Sequence, residues 1–406
     1  MEAMSQDPVV YDVTIVGGGI IGLSTIMTLA TRFPGRKFLL LEKESKLALH
    51  QTGHNSGVIH SGIYYQPGSL KAKMCVEGAK ALVTFCQHHA IPYEICGKVI
   101  VATHPSELPR LETLYARGNT NGIQGLQLIR PERLREMEPY ATGLRAIYVP
   151  GTGIVDFGKV ARTYAKVALE KGAEIYTSAR AQRFFHDQSQ WRIETAAGDF
   201  RSRILINCGG LHADRIARLT QSTPKVAIIP FRGEYYEIVP ERAHLVKNLI
   251  YPVPNPLFPF LGVHLTRMIS GKVKAGPNAV LALKREGYNK RDVDLKDMWN
   301  MLGYAGFWRM VRKYGRIGLE EWVQSFWKRE FVRAAQRLLP DLTSEDLVPS
   351  MTGVRAQAVN GDGSLLDDFS IVRDRNAIHV LNVPSPAATA SLRIGEVIAE
   401  TAEEIF

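Results

Sequence analysis

The sequence has 406 residues, 45% hydrophobic and 22% charged, a composition that can bury a sizeable core and excludes disordered or collagen-like chains. Fifty Lys and Arg against 40 Asp and Glu leave a formal charge of +10, which favours anionic ligands, lipid surfaces or nucleic acid without choosing among them. The longest apolar stretches, near residues 20–30 and 38–41, are shorter than the ~20 residues of a membrane span, and no basic-then-apolar signal opens the chain, so a cytoplasmic protein is expected.

Residues 11–16 form a short β-branched apolar run leading into Gly17-Gly18-Gly19-Ile20-Ile21-Gly22 and then an apolar helical stretch. In this strand, turn and helix, Gly17 permits the tight turn, Gly19 lets a pyrophosphate approach the helix N-terminus, and Gly22 lets helix and strand pack closely. A second apolar run, 38–41, ends in Glu42, twenty residues after Gly22, where an acid can accept both ribose hydroxyls of an adenosine and disfavours a 2′-phosphate. The pattern predicts a dinucleotide site. The polar loop 50–62 that follows, with three His and three Gly, suits a cofactor that continues past its pyrophosphate, which favours FAD over NAD.

Further along, 156–171 reads as an amphipathic helix, followed by strands near 174–176, 181–186, 191–195 and 203–207 and then Cys208-Gly209-Gly210. The expected fold class is α/β: a Rossmann-like FAD-binding domain (glutathione-reductase-like) from 1–91, 151–224 and 350–406. Inserted into it is an α+β substrate-binding domain on an antiparallel sheet, from 92–150 and 225–349. The block 299–337 holds four of the five tryptophans with Phe307, Phe326, Phe331 and eight basic residues. It suits an interfacial helix pair on an anionic membrane, or equally helices whose aromatic residues line the core. Cys75, Cys86, Cys96 and Cys208 show no C-x-x-C spacing, so no metal site or disulfide framework is expected.

Several separated motifs carry a family resemblance over nearly the whole chain. They are 16–22, the loop 50–62 continuing through 63–72, Pro230 to Tyr236, 251–256, 259–267, 276–280, 353–357 and 384–391. Together they resemble the L-2-hydroxyglutarate dehydrogenase/oxidase family, within the flavoproteins similar to D-amino-acid oxidase. The resemblance implies FAD, oxidation of L-2-hydroxyglutarate to 2-oxoglutarate, and electron delivery to a quinone or to oxygen. Alternatives are an amino-acid or amine oxidase or a glycerol-3-phosphate dehydrogenase of the same group. A nucleic-acid-associated flavoprotein is a more distant one; the scattered basic residues and the lack of a nucleic-acid module argue against that partner.

Oxidising a 2-hydroxy acid needs a base for the hydroxyl proton, a hydride acceptor and cations for the carboxylates. Histidine suits the base near neutrality, which makes His264 the first candidate and His60 the second. Arg355, after Gly353, is the first choice for a two-pronged carboxylate clamp, with Arg232, Tyr65 and Lys71 next. The candidate cofactor contacts are Gly17, Gly19, Gly22, Glu42, Lys43, Thr52, Ser56, Gly57, Cys208, Gly209, Gly353, Ala388 and Thr389. The small residues of 384–391 are expected to turn backbone N–H groups toward the flavin, with Ser385 or Thr389 capping the last helix.

Overall fold

The computed structural model describes residues 9–187, 189–255 and 262–406. Among them two sheets carry the architecture. The first has eight strands, with Val10–Val16 at its centre, parallel to Phe38–Leu41 on one side and to Gly198–Asn207 on the other. Phe38–Leu41 is buried at every position, as a strand covered on both faces requires, and this explains its unbroken apolar sequence. Glu174–Tyr176 and Ala377–Asn382 extend the parallel part, while Ala181–Asp187, Gln190–Thr195 and Ser370–Asp374 add antiparallel hairpins.

Helix Ile20–Arg32 lies over this sheet and packs against Phe157–Glu170 and Ser391–Glu403. Their apolar faces meet in one core containing Leu23, Ile26, Tyr164, Ile394 and Ile398. Helix Phe157–Glu170 matches its predicted span, because Asp156 accepts the Lys159 N–H at 3.1 Å and caps its first turn.

The second sheet has nine strands and is antiparallel throughout except where Lys98–Ala102 runs parallel to Leu249–Pro252. Its longest pairing joins Val226–Ile238 to Leu347–Asn360. Residues 350–360, expected in the nucleotide-binding part, therefore belong to this sheet. The sequence reading missed the pairing because its partner strand lies more than a hundred residues earlier.

The block 299–337 buries some of its aromatic residues and exposes others. Three helices, Leu295–Leu302, Ala305–Phe326 and Lys328–Gln336, run through it. Phe307 and Phe331 are buried in cores packed on the second sheet. Trp299, Trp308, Trp322, Phe326 and Trp327 are exposed, Trp299 by 80%. Among the described residues no helix is long and apolar enough to cross a membrane.

Candidate active site

The nucleotide fingerprint folds as its glycines dictate. Gly17 has φ +116°, and a Cβ there would stand 2.4 Å from the Cys208 carbonyl oxygen, so only glycine closes this turn. A Cβ at Gly22 would lie 2.0 Å from the Gly17 oxygen, which holds helix Ile20–Arg32 against the strand end. At Gly19 the nearest atom to a Cβ is Thr52 Oγ1 at 3.5 Å, so the helix N-terminus opens onto free space. Thr52 Oγ1 accepts the Ile20 N–H at 3.0 Å and supplies one of the partners that this end lacks.

Glu42 follows its strand directly. One carboxylate oxygen accepts the Gly18 N–H at 2.6 Å and the other the Glu44 N–H at 2.9 Å. Each oxygen retains a lone pair, so the carboxylate can still take ribose hydroxyls. A single cleft of about 1590 Å³ runs from this end past Cys208 and Gly209 to His60, Tyr65, Arg355 and residues 384–389. That exceeds the roughly 300–1,000 Å³ of a drug-sized pocket and leaves room for an extended dinucleotide with a small substrate. An open glycine at a helix N-terminus, a ribose-directed acid and a long cleft together fit FAD.

Of the other expected cofactor residues, Lys43, Ser56, Gly353, Ala388 and Thr389 line the cleft. Gly57 does not. Its φ is +67°, and a Cβ there would meet the Val155 oxygen at 2.8 Å, so it serves the pairing of Val58–Ile59 with Gly153–Val155. Gly353 passes so close to His54 that a Cβ would lie 2.5 Å from its carbonyl oxygen. Thr389 Oγ1 accepts the His60 N–H at 3.1 Å and donates to the Val58 oxygen at 3.3 Å. Neither Ser385 nor Thr389 caps the last helix; its N-cap is Ala390, without a side-chain bond.

Among the described residues, one group of convergent ligands bears on the expectation of no metal. Glu44, His50 and Glu286 approach closely enough to share an ion. The Lys43 ammonium already pairs with Glu286 at 2.6 Å and with Glu44, so these carboxylates have their cation.

At the far end of the cleft, His60 forms part of the wall. Its Nε2 lies 3.4 Å from Ser385 Oγ, while its buried Nδ1 has no partner among the described residues. Burial, helped by repulsion from Lys98 and His264, pushes the ring down to about 3, so it is neutral at pH 7. His264, the first-ranked base, is not among the described residues that line the cleft. It stacks on Tyr251 with ring centroids 4.1 Å apart, and its Nδ1 lies 2.9 Å from the Gly262 oxygen. Burial lowers it to about 4, partly offset by that backbone bond. Residues 259–261 of its motif lie outside the described residues.

Arg355 lines the cleft from strand Leu347–Asn360, directly opposite Phe231, and its guanidinium bonds to the Tyr235 hydroxyl. Lys71 and Tyr65 also line it. The Lys71 ammonium lies 5.1 Å from the Tyr65 ring centroid and 2.8 Å from Asp367. Burial raises the Tyr65 hydroxyl well above its ordinary range, against a hydrogen bond to Ser385. Arg232 does not reach the cleft. It pairs with Val354, so the two-residue period of a strand turns it to the face opposite Arg355. There it bonds to Glu234 at 3.1 Å and to the Asn289 oxygen at 3.0 Å.

Sequence reasoning missed Lys98 and Tyr235. Lys98 opens an apolar strand and reads as its edge charge, yet it is buried beside the Tyr64 and Tyr251 rings. Tyr235 lies within the motif Pro230 to Tyr236, but only the fold brings it against Arg355.

Residues 12–401 match the family model described as "FAD dependent oxidoreductase". The chain is 50% identical over 397 residues to L-2-hydroxyglutarate dehydrogenase of Indibacter alkaliphilus, covering 98% of this chain and 100% of that protein. It is 47% identical over 386 residues to the enzyme of the same name from Escherichia coli strain K12, covering 95% and 91% of the two. Among solved structures, the FAD-bound L-α-glycerophosphate oxidase of Mycoplasma pneumoniae superposes with a TM-score of 0.77 at 23% identity, covering 98% of this chain and 94% of the other. That likeness speaks to the fold alone.

Proposed function

The chain belongs to the FAD-dependent oxidoreductase family, and on that premise we propose that it oxidises L-2-hydroxyglutarate to 2-oxoglutarate. The observation that carries this reading is the meeting of His60, Arg355 and Lys71 at one end of the nucleotide cleft, in a chain whose full-length relatives bear that activity.

Gly17, Gly19 and Gly22 with Glu42 and Thr52 would hold the adenosine and pyrophosphate part of FAD, and residues 384–389 the flavin end. When bound, FAD supplies the hydride-accepting chemistry of the site. Arg355, steadied by Tyr235, offers one substrate carboxylate two parallel N–H donors. Lys71 offers the other a buried ammonium whose present partner, Asp367, is exposed and exchangeable. His60 is the base this arrangement favours, since its ring is neutral and lines the cleft, with Nε2 3.4 Å from Ser385 Oγ. Carboxylates beside it stabilise the imidazolium, so its proton affinity rises when substrate enters.

For the electron acceptor, the exposed surface of helix Ala305–Phe326 favours a quinone dissolved in lipid. Trp308, Val311, Leu319, Trp322 and Phe326 are all exposed, and their spacing sets them along one stripe of the helix. Exposed Arg312, Lys313 and Arg316 accompany the stripe. This is the composition of a helix lying in an anionic membrane surface, here the inner face of the cell membrane.

The test of the reaction is anaerobic. L-2-Hydroxyglutarate is expected to bleach the flavin of the purified protein, and the D enantiomer, glycerol 3-phosphate and sarcosine to leave it yellow. Bleaching by sarcosine or glycerol 3-phosphate instead would transfer the chain to the amine-oxidase or glycerol-phosphate branch.

A further inference from the structure

Strand Lys98–Ala102 is buried throughout, and Lys98 is 1% exposed. Its Nζ has no hydrogen-bond partner among the described residues. It lies 4.4 Å from the centroid of the Tyr64 ring and 4.9 Å from that of Tyr251. Tyr64 lines the cleft, so the amine stands one aromatic ring behind the substrate end. An ammonium buried without a carboxylate is costly, and two ring faces recover only part of its hydration.

The described groups around it supply no anion. His60 and Tyr64 face it from the segment after Val58–Ile59, Cys75 from helix Leu70–His88, Tyr251 from Leu249–Pro252 and His264 from His264–Arg267. Cys75 is held up at about 12 by burial, so its thiol stays neutral. Arg355 adds its own charge against His264 from strand Leu347–Asn360 of the same sheet. Such an end of a cleft is complete only when an anion occupies it.

Resting on the reading of the substrate as a dicarboxylate, we propose that Lys98 is the charge compensator of the site. At pH 8 its amine is mostly neutral in the empty cleft, takes one proton from solvent when the diacid enters, and returns it when the product leaves. Burial lowers Lys98 to about 7, whereas His60 and His264 are lowered to about 3 and 4. Lys98 is thus the group closest to its midpoint at neutral pH, and a nearby carboxylate shifts it upward. It acts through space across Tyr64, as a positioning residue.

The test is calorimetric titration of the FAD-loaded protein with glutarate, a diacid lacking the reacting hydroxyl, at pH 8 in two buffers of different ionisation heat. Wild type is expected to take up close to one proton per glutarate. Lys98→Met should retain flavin, lose the uptake and bind glutarate about tenfold or more weakly, one pKa unit being a factor of ten. Lys98→Arg, with a fixed charge, should keep most of the affinity without the uptake. Binding by wild type without proton uptake, or uptake that persists in Lys98→Met, overturns the assignment. If Lys98→Met loses its flavin, Lys98→Arg decides: abolished uptake supports the proposal and intact uptake ends it. Flavin bleaching by L-2-hydroxyglutarate separates the two ideas. Bleaching with an unchanged proton count sinks the role of Lys98 alone, and absence of both bleaching and glutarate binding sinks the substrate reading and this proposal with it.

Discussion

Thr389 and His60 are joined across 329 residues of chain by a hydrogen bond of 3.1 Å, from the His60 N–H to the threonine hydroxyl. The same hydroxyl donates to the Val58 oxygen. The backbone that presents the His60 ring to the cleft is therefore pinned by the segment expected to meet the flavin. This fixed presentation distinguishes His60 from His264, whose ring lies flat on Tyr251.

His60→Ala should slow anaerobic flavin reduction by L-2-hydroxyglutarate by roughly the 10²–10⁴ of a lost general base while flavin stays bound. His264→Ala should cost less, through loosened packing around Tyr251. Stopped-flow traces of both variants rank the histidines, and the opposite order would return the base to His264.

Arg355→Lys keeps the charge but loses the two-pronged geometry and the contact with Tyr235. Turnover with the diacid should fall by a factor of ten or more, whereas Arg232→Lys should leave kcat/KM near wild type, because Arg232 faces Glu234. Equal effects of the two substitutions would contradict the strand register.

Gly19→Val and Gly22→Ala should fail differently. The first places its side chain in open space beside Thr52, so a folded, colourless apoprotein is expected. The second drives a methyl into the Gly17 carbonyl and should lower stability by about 1–3 kcal/mol through overpacking. Circular dichroism melts beside the visible spectrum tell the two apart.

Lys98→Met should raise the melting temperature at pH 7, and the gain should shrink as pH rises toward 10. The unfolded lysine keeps its proton to about 10.5 while the folded one loses it near 7. Between these values the unfolded state holds more protons, so this group's penalty on the wild-type fold eases with rising pH. A gain independent of pH would mean that packing alone caused it.

Anionic liposomes should sediment the protein at low salt and release it at high salt, each Lys or Arg near the surface contributing about 1 kcal/mol. Replacing Arg309, Arg312, Lys313 and Arg316 by Glu should abolish sedimentation and leave flavin reduction by substrate unchanged. Wild type remaining in the supernatant would favour oxygen or a soluble carrier as acceptor.

The nucleotide end was legible because its determinants are local: a strand, three glycines and an acid within 33 residues, from Val10 to Glu42. The substrate end depends on pairings between distant strands. Arg232 and Arg355 look alike as arginines beside glycines, and only the Phe231–Arg355 register turns one into the cleft and the other away. Lys98 is harder still, since an apolar strand with a basic first residue is unremarkable until two tyrosines from elsewhere in the chain enclose it. The block 299–337 both buries and exposes aromatic residues because one helical sequence can bury one stripe and expose another.

Helix Ser391–Glu403 packs on Ile20–Arg32, so helix Ile20–Arg32 is synthesised long before the helix that covers it. Until residues 389–403 emerge, the apolar face of Ile20–Arg32 lacks its cover and the loop bearing His60 lacks its anchor. A nascent chain in this state exposes the surface that chaperones recognise. Flavin loading then waits for this helix, and chains arrested before it should accumulate without colour.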